Sequence, residues 1–215
     1  MRRYATLYII GIDEAGRAVP KRGEPRPAFI IGIDEAGRGP LAGPVVVAGI
    51  KSGSFRPKFL RDIKDSKKLS AKRREEWFRI LTDHPEIEWA VAMVSPKVID
   101  RINIARAANL GARRVCDKLS FGGKKLGLAQ VVLDGGLYLP LQIRHKTIIK
   151  GDEKVPVIAA ASIIAKVTRD RIMRRLHKKY PQYGFDAHKG YATELHRGRV
   201  RLHGRSAVHR KTFQY

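Results

Sequence analysis

Three aspartates share one local context. Asp34 closes the apolar run Ile30-Ile-Gly-Ile33, Asp134 closes Val131-Val-Leu133, and Asp152 follows Ile148-Ile-Lys-Gly151. Each carboxylate stands where an apolar segment runs out into a glycine-containing turn, and Glu35 stands beside Asp34. Strand ends within one sheet lie ~5–10 Å apart, so acids in these positions can converge. Carboxylates gathered without His or Cys ligands suit hard, oxygen-preferring ions such as Mg²⁺ or Mn²⁺. Two such ions, ~3.5–4 Å apart, activate a water and stabilise a leaving oxygen in phosphodiester cleavage. Taken singly, an Asp before Gly is ordinarily a turn residue bonding its own backbone. Taken together in a chain with few acids, the set points to a site, without telling a nuclease from another metal enzyme.

The elements that must carry these acids alternate in type. Phe29–Ile33, Val45–Ile50, Ile87–Val94, Ala129–Leu133 and Thr147–Ile149 read as strands, the first two joined across a Gly-Pro turn. Ser70 can cap a helix that runs to about Thr82 and ends before Pro85. Val98, Ile102, Ala105, Ala112, Val115 and Leu119 fall on one helical face, and a long helix runs from Val157 to about Lys179, stopped by Pro181. Its Ala159-Ala-Ala-Ser162 face can pack close to a sheet. The tail from Tyr183 is polar and basic, and its Arg-Gly-rich stretch to Arg205 is expected to be less regular than a helix. The class is α/β, a central sheet with helices on its faces. Three regions are expected: an extension over 1–28, a catalytic domain over 29–180, and a substrate-binding segment over 181–215.

Charge narrows the partner. The 215 residues hold 44 Lys and Arg against 20 Asp and Glu, a net charge of +24. That surplus favours a polyanion, because each neutralised phosphate releases condensed counterions. The single cysteine, Cys116, excludes an internal disulfide and fits a reducing compartment, so a cytoplasmic location is expected. Its helical spacing with Ala112 and Leu119 marks it as core filler. No apolar run approaches the ~20 residues of a membrane span, and the apolar stretch before Asp13 and Glu14 is too short for a secretory signal, so no export signal is expected. A monomer that avoids membranes is expected.

One segment occurs twice. Ile9-Ile-Gly-Ile-Asp-Glu-Ala-Gly-Arg17 recurs letter for letter as Ile30–Arg38, with a Pro-rich, charged stretch between the copies. The second copy continues into Gly39-Pro-Leu-Ala-Gly-Pro and a β-branched run, whereas the first has Ala18 in place of Gly39 and runs into the linker. Asp34 and Glu35 are therefore expected to work, and Asp13 and Glu14 are not. The competing possibility is that the first copy takes the same strand slot, since the identity makes that slip locally cheap.

Gly32-Ile-Asp-Glu-Ala-Gly-Arg-Gly-Pro-Leu-Ala-Gly-Pro-Val-Val-Val-Ala-Gly49 resembles the first motif of the ribonuclease HII family. Lys64-Asp-Ser-Lys-Lys-Leu-Ser70 resembles its second, Leu133-Asp-Gly135 its third, and Lys150-Gly-Asp152 with Ala159–Asp170 its fourth. His188-Lys-Gly-Tyr-Ala-Thr193 and His209-Arg-Lys-Thr-Phe213 resemble its C-terminal part, so the match runs in order over nearly the whole chain. The resemblance implies a ribonuclease H-like mixed sheet flanked by helices, with a C-terminal helical segment. It implies that Asp34, Glu35, Asp134 and Asp152 hold two Mg²⁺ or Mn²⁺ ions around the scissile phosphate, and that cleavage leaves a 3′-hydroxyl and a 5′-phosphate. The implied substrates are RNA–DNA hybrids and duplex DNA carrying a ribonucleotide, cut on its 5′ side. Gly37, Arg38 and Gly39 match the segment that reads the ribose 2′-hydroxyl, the group that tells RNA from DNA. Tyr191 matches a tyrosine that stacks beside that sugar.

Lys67 and Lys68 are placed to contact phosphate, and an exposed charged loop explains either one equally well. Lys166, Arg169 and Asp170 suit the rim of the site, although a helix-surface ion pair accounts for Arg169 and Asp170 as readily. The alternative from another class is a basic nucleic-acid-binding protein without catalysis. It has no need of the carboxylate quartet. A different nuclease on the same fold would explain the acids but not Gly37-Arg38-Gly39.

Overall fold

A computed structural model describes residues 27–53, 60, 63, 69–120 and 129–214, with the backbone of two short strands at 11–12 and 18–19. Strands β1 (Gly11–Ile12) and β2 (Ala18–Val19) pair with each other, antiparallel. The first copy of the duplicated segment thus contributes to a ladder of its own, and Asp13 and Glu14 lie outside the described residues.

The second copy forms the centre of the main sheet. Strands β3 (Phe29–Ala36), β4 (Val45–Gly53), β5 (Ile87–Val94), β6 (Ala129–Asp134) and β7 (His145–Ile148) assemble in the order β5-β4-β3-β6-β7. β3, β4 and β5 are antiparallel neighbours, whereas β6 and β7 run parallel to β3. Because β3 is covered on both faces, its side chains are apolar on both. Ile30 belongs to one core layer and Ile31 and Ile33 to the other.

Helix α5 (Pro156–Lys179) covers the first face. Its backbone comes so near the sheet that a Cβ on Gly32 would lie 2.5 Å from the Val157 carbonyl carbon. Only glycine permits that approach, and the Ala159–Ala161 face is the matching small surface on the helix. Helix α1 (Ala71–Asp83), capped by Ser70 accepting from the Arg73 amide at 3.2 Å, packs on the same side through Trp77 and Leu81. The other face is covered by α3 (Ile104–Ser120), whose Val115, Cys116 and Leu119 are buried. The apolar face running from Val98 to Leu119 is divided between two helices, α2 (Pro96–Ile102) and α3. Asn103, with φ 66°, breaks the run, and its Oδ1 accepts from the Arg106 amide to restart it.

The tail is more regular than its composition suggests. After α4 (Gly151–Lys154) and α5, a 3₁₀ turn (Pro181–Tyr183) and α6 (Phe185–His188) lead into α7 (Glu194–His203). Thr193 caps α7 by accepting from the His196 amide at 3.3 Å, and Val200 and His196 give the helix a buried side. The Arg-Gly-rich stretch is therefore helical, held by its cap and by tertiary packing that composition does not reveal. The chain then returns to β3's exit. The Gly43 amide donates to Val208 O at 2.9 Å, and the Arg210 amide donates to Leu41 O at 2.8 Å. Among the described residues no helix is long and apolar enough to cross a membrane.

Candidate metal centre and its adjoining loop

The parallel register of β3 and β6 creates the site. Ile33 lies opposite Leu133, so the residues that follow, Asp34 and Asp134, stand at the same level on adjacent strands, Asp34 still paired with Ala48 of β4 and Asp134 with Ile148 of β7. Asp34, Glu35 and Asp134 bring one carboxylate oxygen each to within 4.8 Å of one another. Asp34 is 4% exposed; its Oδ1 accepts from the Glu35 amide at 2.6 Å, and Ser162 of α5 bonds its carboxyl group. Burial raises the Asp34 carboxyl well above the ordinary range, and the charges of Glu35 and Asp134 raise it further. Burial also raises Glu35, against the opposing pull of Arg38.

The donor set fits a hard cation. It consists of carboxylate oxygens only, crowded against mutual repulsion, and Glu35 Oε2 is buried without a hydrogen-bond partner. The other Glu35 oxygen accepts from Arg38 Nη1 at 3.2 Å, and the same nitrogen donates to Gly136 O at 3.1 Å. Arg38 thereby spans the first and third motifs. Asp152 is buried on α4 and lies outside the three-carboxylate cluster. Its neighbour Gly151 ties the two segments together, the Gly151 amide donating to Asp134 Oδ1 at 2.7 Å. Lys150, with φ 54°, makes the turn that brings this amide round.

Beside the acids runs the loop from Gly37 to Pro44. Gly37 has φ 98°, a conformation that favours glycine, whereas Gly39 is exposed with open space where a Cβ would stand. Tyr191 is 44% exposed on the turn between α6 and α7. Loop and turn are joined, the Leu41 amide donating to Gly190 O at 2.8 Å. Lys67 and Lys68 lie outside the described residues. Arg169 is fully buried and bonded to main-chain carbonyls, which removes the surface ion pair with Asp170; Asp170 pairs with Lys166 at 3.0 Å instead. Ser162, and the side chains of Arg169 and Arg210 as supports of the loop, carry no signal in spacing or composition. Arg210 does lie within the C-terminal motif.

A mixed sheet whose adjacent strands β3 and β6 carry carboxylates near their C-terminal ends, with helices on both faces, is a ribonuclease H-like fold. Two solved structures share it at 30% identity. That of the PCNA:RNase HII complex from Archaeoglobus fulgidus aligns with a TM-score of 0.69 over 87% of this chain and 96% of the other. That of ribonuclease H2 from Pyrococcus horikoshii aligns at 0.67 over 86% and 94%. The profile of the ribonuclease HII family matches residues 31–215. Curated ribonucleases HII from Chlorobaculum parvum and Delftia acidovorans are 45% and 44% identical, over 96% and 95% of this chain and 89% and 75% of their own. The chain belongs to the ribonuclease HII family, and is a metal-dependent endoribonuclease that acts on the RNA strand of RNA–DNA hybrids.

Proposed function

We propose that this enzyme also cuts duplex DNA on the 5′ side of an embedded ribonucleotide, leaving a 3′-hydroxyl and a 5′-phosphate. The observation that carries the reading is the adjacency of the carboxylate cluster to the loop Gly37-Arg38-Gly39, joined through the Arg38–Glu35 ion pair. Asp34, Glu35 and Asp134 would hold divalent ions, Mg²⁺ or Mn²⁺, and Asp152 would complete the set from α4. A pair of such ions supplies an activated water and charge stabilisation at the phosphate. The chain's own residues do the selecting. Gly37 and Gly39 let the substrate backbone approach the loop amides, and a ribose 2′-hydroxyl can both accept from and donate to such groups. Tyr191 presents an exposed ring beside that sugar, and Lys67 and Lys68 meet phosphates. Arg38 holds one Glu35 oxygen and leaves the other for a cation. The +24 charge draws in the duplex.

The test is a cleavage assay on a duplex with one ribonucleotide, with the cut mapped at single-nucleotide resolution. A Mg²⁺- or Mn²⁺-dependent cut directly 5′ of the ribonucleotide is expected, and none in the all-DNA duplex. Asp34→Asn should reduce cleavage by more than the ~10–100-fold typical of residues that merely orient a ligand. Asp13→Asn should leave it unchanged. If Asp13→Asn abolishes cutting and Asp34→Asn does not, the first motif copy is the working one.

A further inference from the structure

Two buried guanidinium groups stand behind the loop. Arg210 is 1% and Arg169 0% exposed. Arg210 donates from Nε to Gly43 O at 3.1 Å, from Nη1 to Arg38 O at 2.7 Å and from Nη2 to Gly37 O at 2.5 Å. Arg169 donates from Nε to Pro44 O at 3.1 Å and from Nη2 to Ala42 O at 3.2 Å and Lys189 O at 3.0 Å. All six bonds end on main-chain carbonyls. Burying a charge without a counter-charge is costly. Burial, with the charge of Arg169, pushes Arg210 down to about 9, so it remains charged at neutral pH.

The bonds of Arg210 fix the direction of two peptide planes. In a trans peptide the carbonyl of one residue and the amide N–H of the next point opposite ways. With Gly37 O and Arg38 O drawn inward to Arg210, the amides of Arg38 and Gly39 are turned away from it. A charged donor on the carbonyl also polarises the same peptide group, which strengthens its N–H as a donor. Arg169 links the far end of this loop to the turn that carries Tyr191. Its guanidinium carbon lies 5.8 Å from the Tyr191 ring centroid, and a Cβ on Gly37 would lie 2.1 Å from its Nε. Its Nη1 is buried without a hydrogen-bond partner.

We propose that Arg210 and Arg169 are positioning residues for ribose discrimination: Arg210 turns the Arg38 and Gly39 amides outward, and Arg169 sets Tyr191 at a fixed place beside them. The proposal rests on the reading that Gly37–Gly39 meets the 2′-hydroxyl. A guanidinium can bridge three carbonyls in one plane, which a lysine ammonium cannot.

The experiment compares the wild-type chain with Arg210→Lys and Arg169→Lys. Ca²⁺ replaces Mg²⁺, and recovery of intact duplex confirms that nothing is cut. Dissociation constants are measured for a duplex with one central ribonucleotide and for the same duplex in all-DNA form. The wild type should prefer the ribonucleotide duplex. Each variant should lose that preference about tenfold, the order of one charge-assisted hydrogen bond. Affinity for the all-DNA duplex and the rise in melting temperature with Mn²⁺ should be kept. Variants that retain the full preference overturn the clamp. A wild type without any preference overturns the ribose-reading assignment itself, a distinct result. If a lysine variant gives no cooperative melt, the side-chain ¹⁵N–¹H resonances of arginine are followed in the wild type. Two exchange-protected guanidinium signals should shift with the ribonucleotide duplex and not with all-DNA; signals that respond identically to both overturn the proposal.

Discussion

At the scale of single residues the site is defined by conflict between charges. Asp34 is buried beside Glu35 and Asp134, and its carboxyl is raised by burial first and by those charges second. A folded-state pKa above the unfolded value means that the folded protein binds the proton more tightly. This group therefore favours folding at low pH, and that contribution is lost as pH rises through the raised value. A divalent ion held by these acids would do the same work as the proton at higher pH. Metal-free wild type should thus melt below Asp34→Asn at pH 8, and the gap should close as pH falls. Mn²⁺ at a hundredfold excess over its Kd should stabilise the wild type by about 2.7 kcal/mol, or about 5–10 °C in a chain of this size. Asp34→Asn should lose most of that rise. A calorimetric scan in which Mn²⁺ leaves the wild-type melt unmoved at pH 8 would show that these acids are turn residues.

At the scale of elements, the legible parts are those whose signals are local. The strands that carry Asp34 and Asp134 show as β-branched runs, Ser70 as a cap, and Pro181 as a stop. Asp34, Asp134 and Asp152 could be named from sequence because an acid that follows an apolar run beside a nearby glycine is a local pattern. The convergence of Asp34 and Asp134 depends on the parallel β3–β6 register, a pairing across about 100 residues that no local pattern encodes. The break at Asn103 is invisible because the apolar face continues through it. Helix α7 was obscured by Gly198 and arginines, since what holds it is the buried pair His196 and Val200. Arg169 reads as a surface residue beside Asp170, yet it is drawn inward by carbonyls from loops far away in sequence.

The tail's packing carries its own expected behaviour. The backbone amide of Ser206 donates to His209 Nδ1 at 2.9 Å, which leaves the His209 proton on Nε2, facing His196 Nε2 at 3.1 Å. His196 must then donate from Nδ1 to Tyr191 O at 2.9 Å, while His188 accepts from the Gly190 amide and donates to Tyr183 O. A second proton on any of the three rings would set donor against donor. Burial lowers all three, His209 from 6.5 to about 4. A base depressed in the folded state contributes stability that is complete above 6.5 and lost as pH falls toward 4. For His209 alone that amounts to on the order of 3 kcal/mol. Urea denaturation should therefore show stability falling between those limits, with a shallower fall in His209→Gln. A pH-independent midpoint over this range would mean that the rings take up protons as readily in the fold as in the unfolded chain.

At the scale of the whole molecule, +24 spread over 215 residues cannot be read residue by residue. A surplus of that size acts on the duplex as a field and not as a set of specific contacts. Phosphate contacts position a nucleic acid without reading it, whereas the proposed function gives discrimination to the loop Gly37–Gly39. The two contributions separate under salt. Each neutralised phosphate adds about −0.9 to the slope of log K against log salt, so a footprint of about five phosphates gives a slope near −4.5. All-DNA and ribonucleotide-containing duplexes should therefore weaken in parallel as NaCl rises, with the ratio of their affinities constant, because the 2′-hydroxyl contact is made to neutral amides. Fluorescence anisotropy in Ca²⁺ between 50 and 300 mM NaCl measures both lines. Lines that converge with salt would assign the discrimination to charge, and would move the search for it from Gly37–Gly39 to the surrounding lysines and arginines.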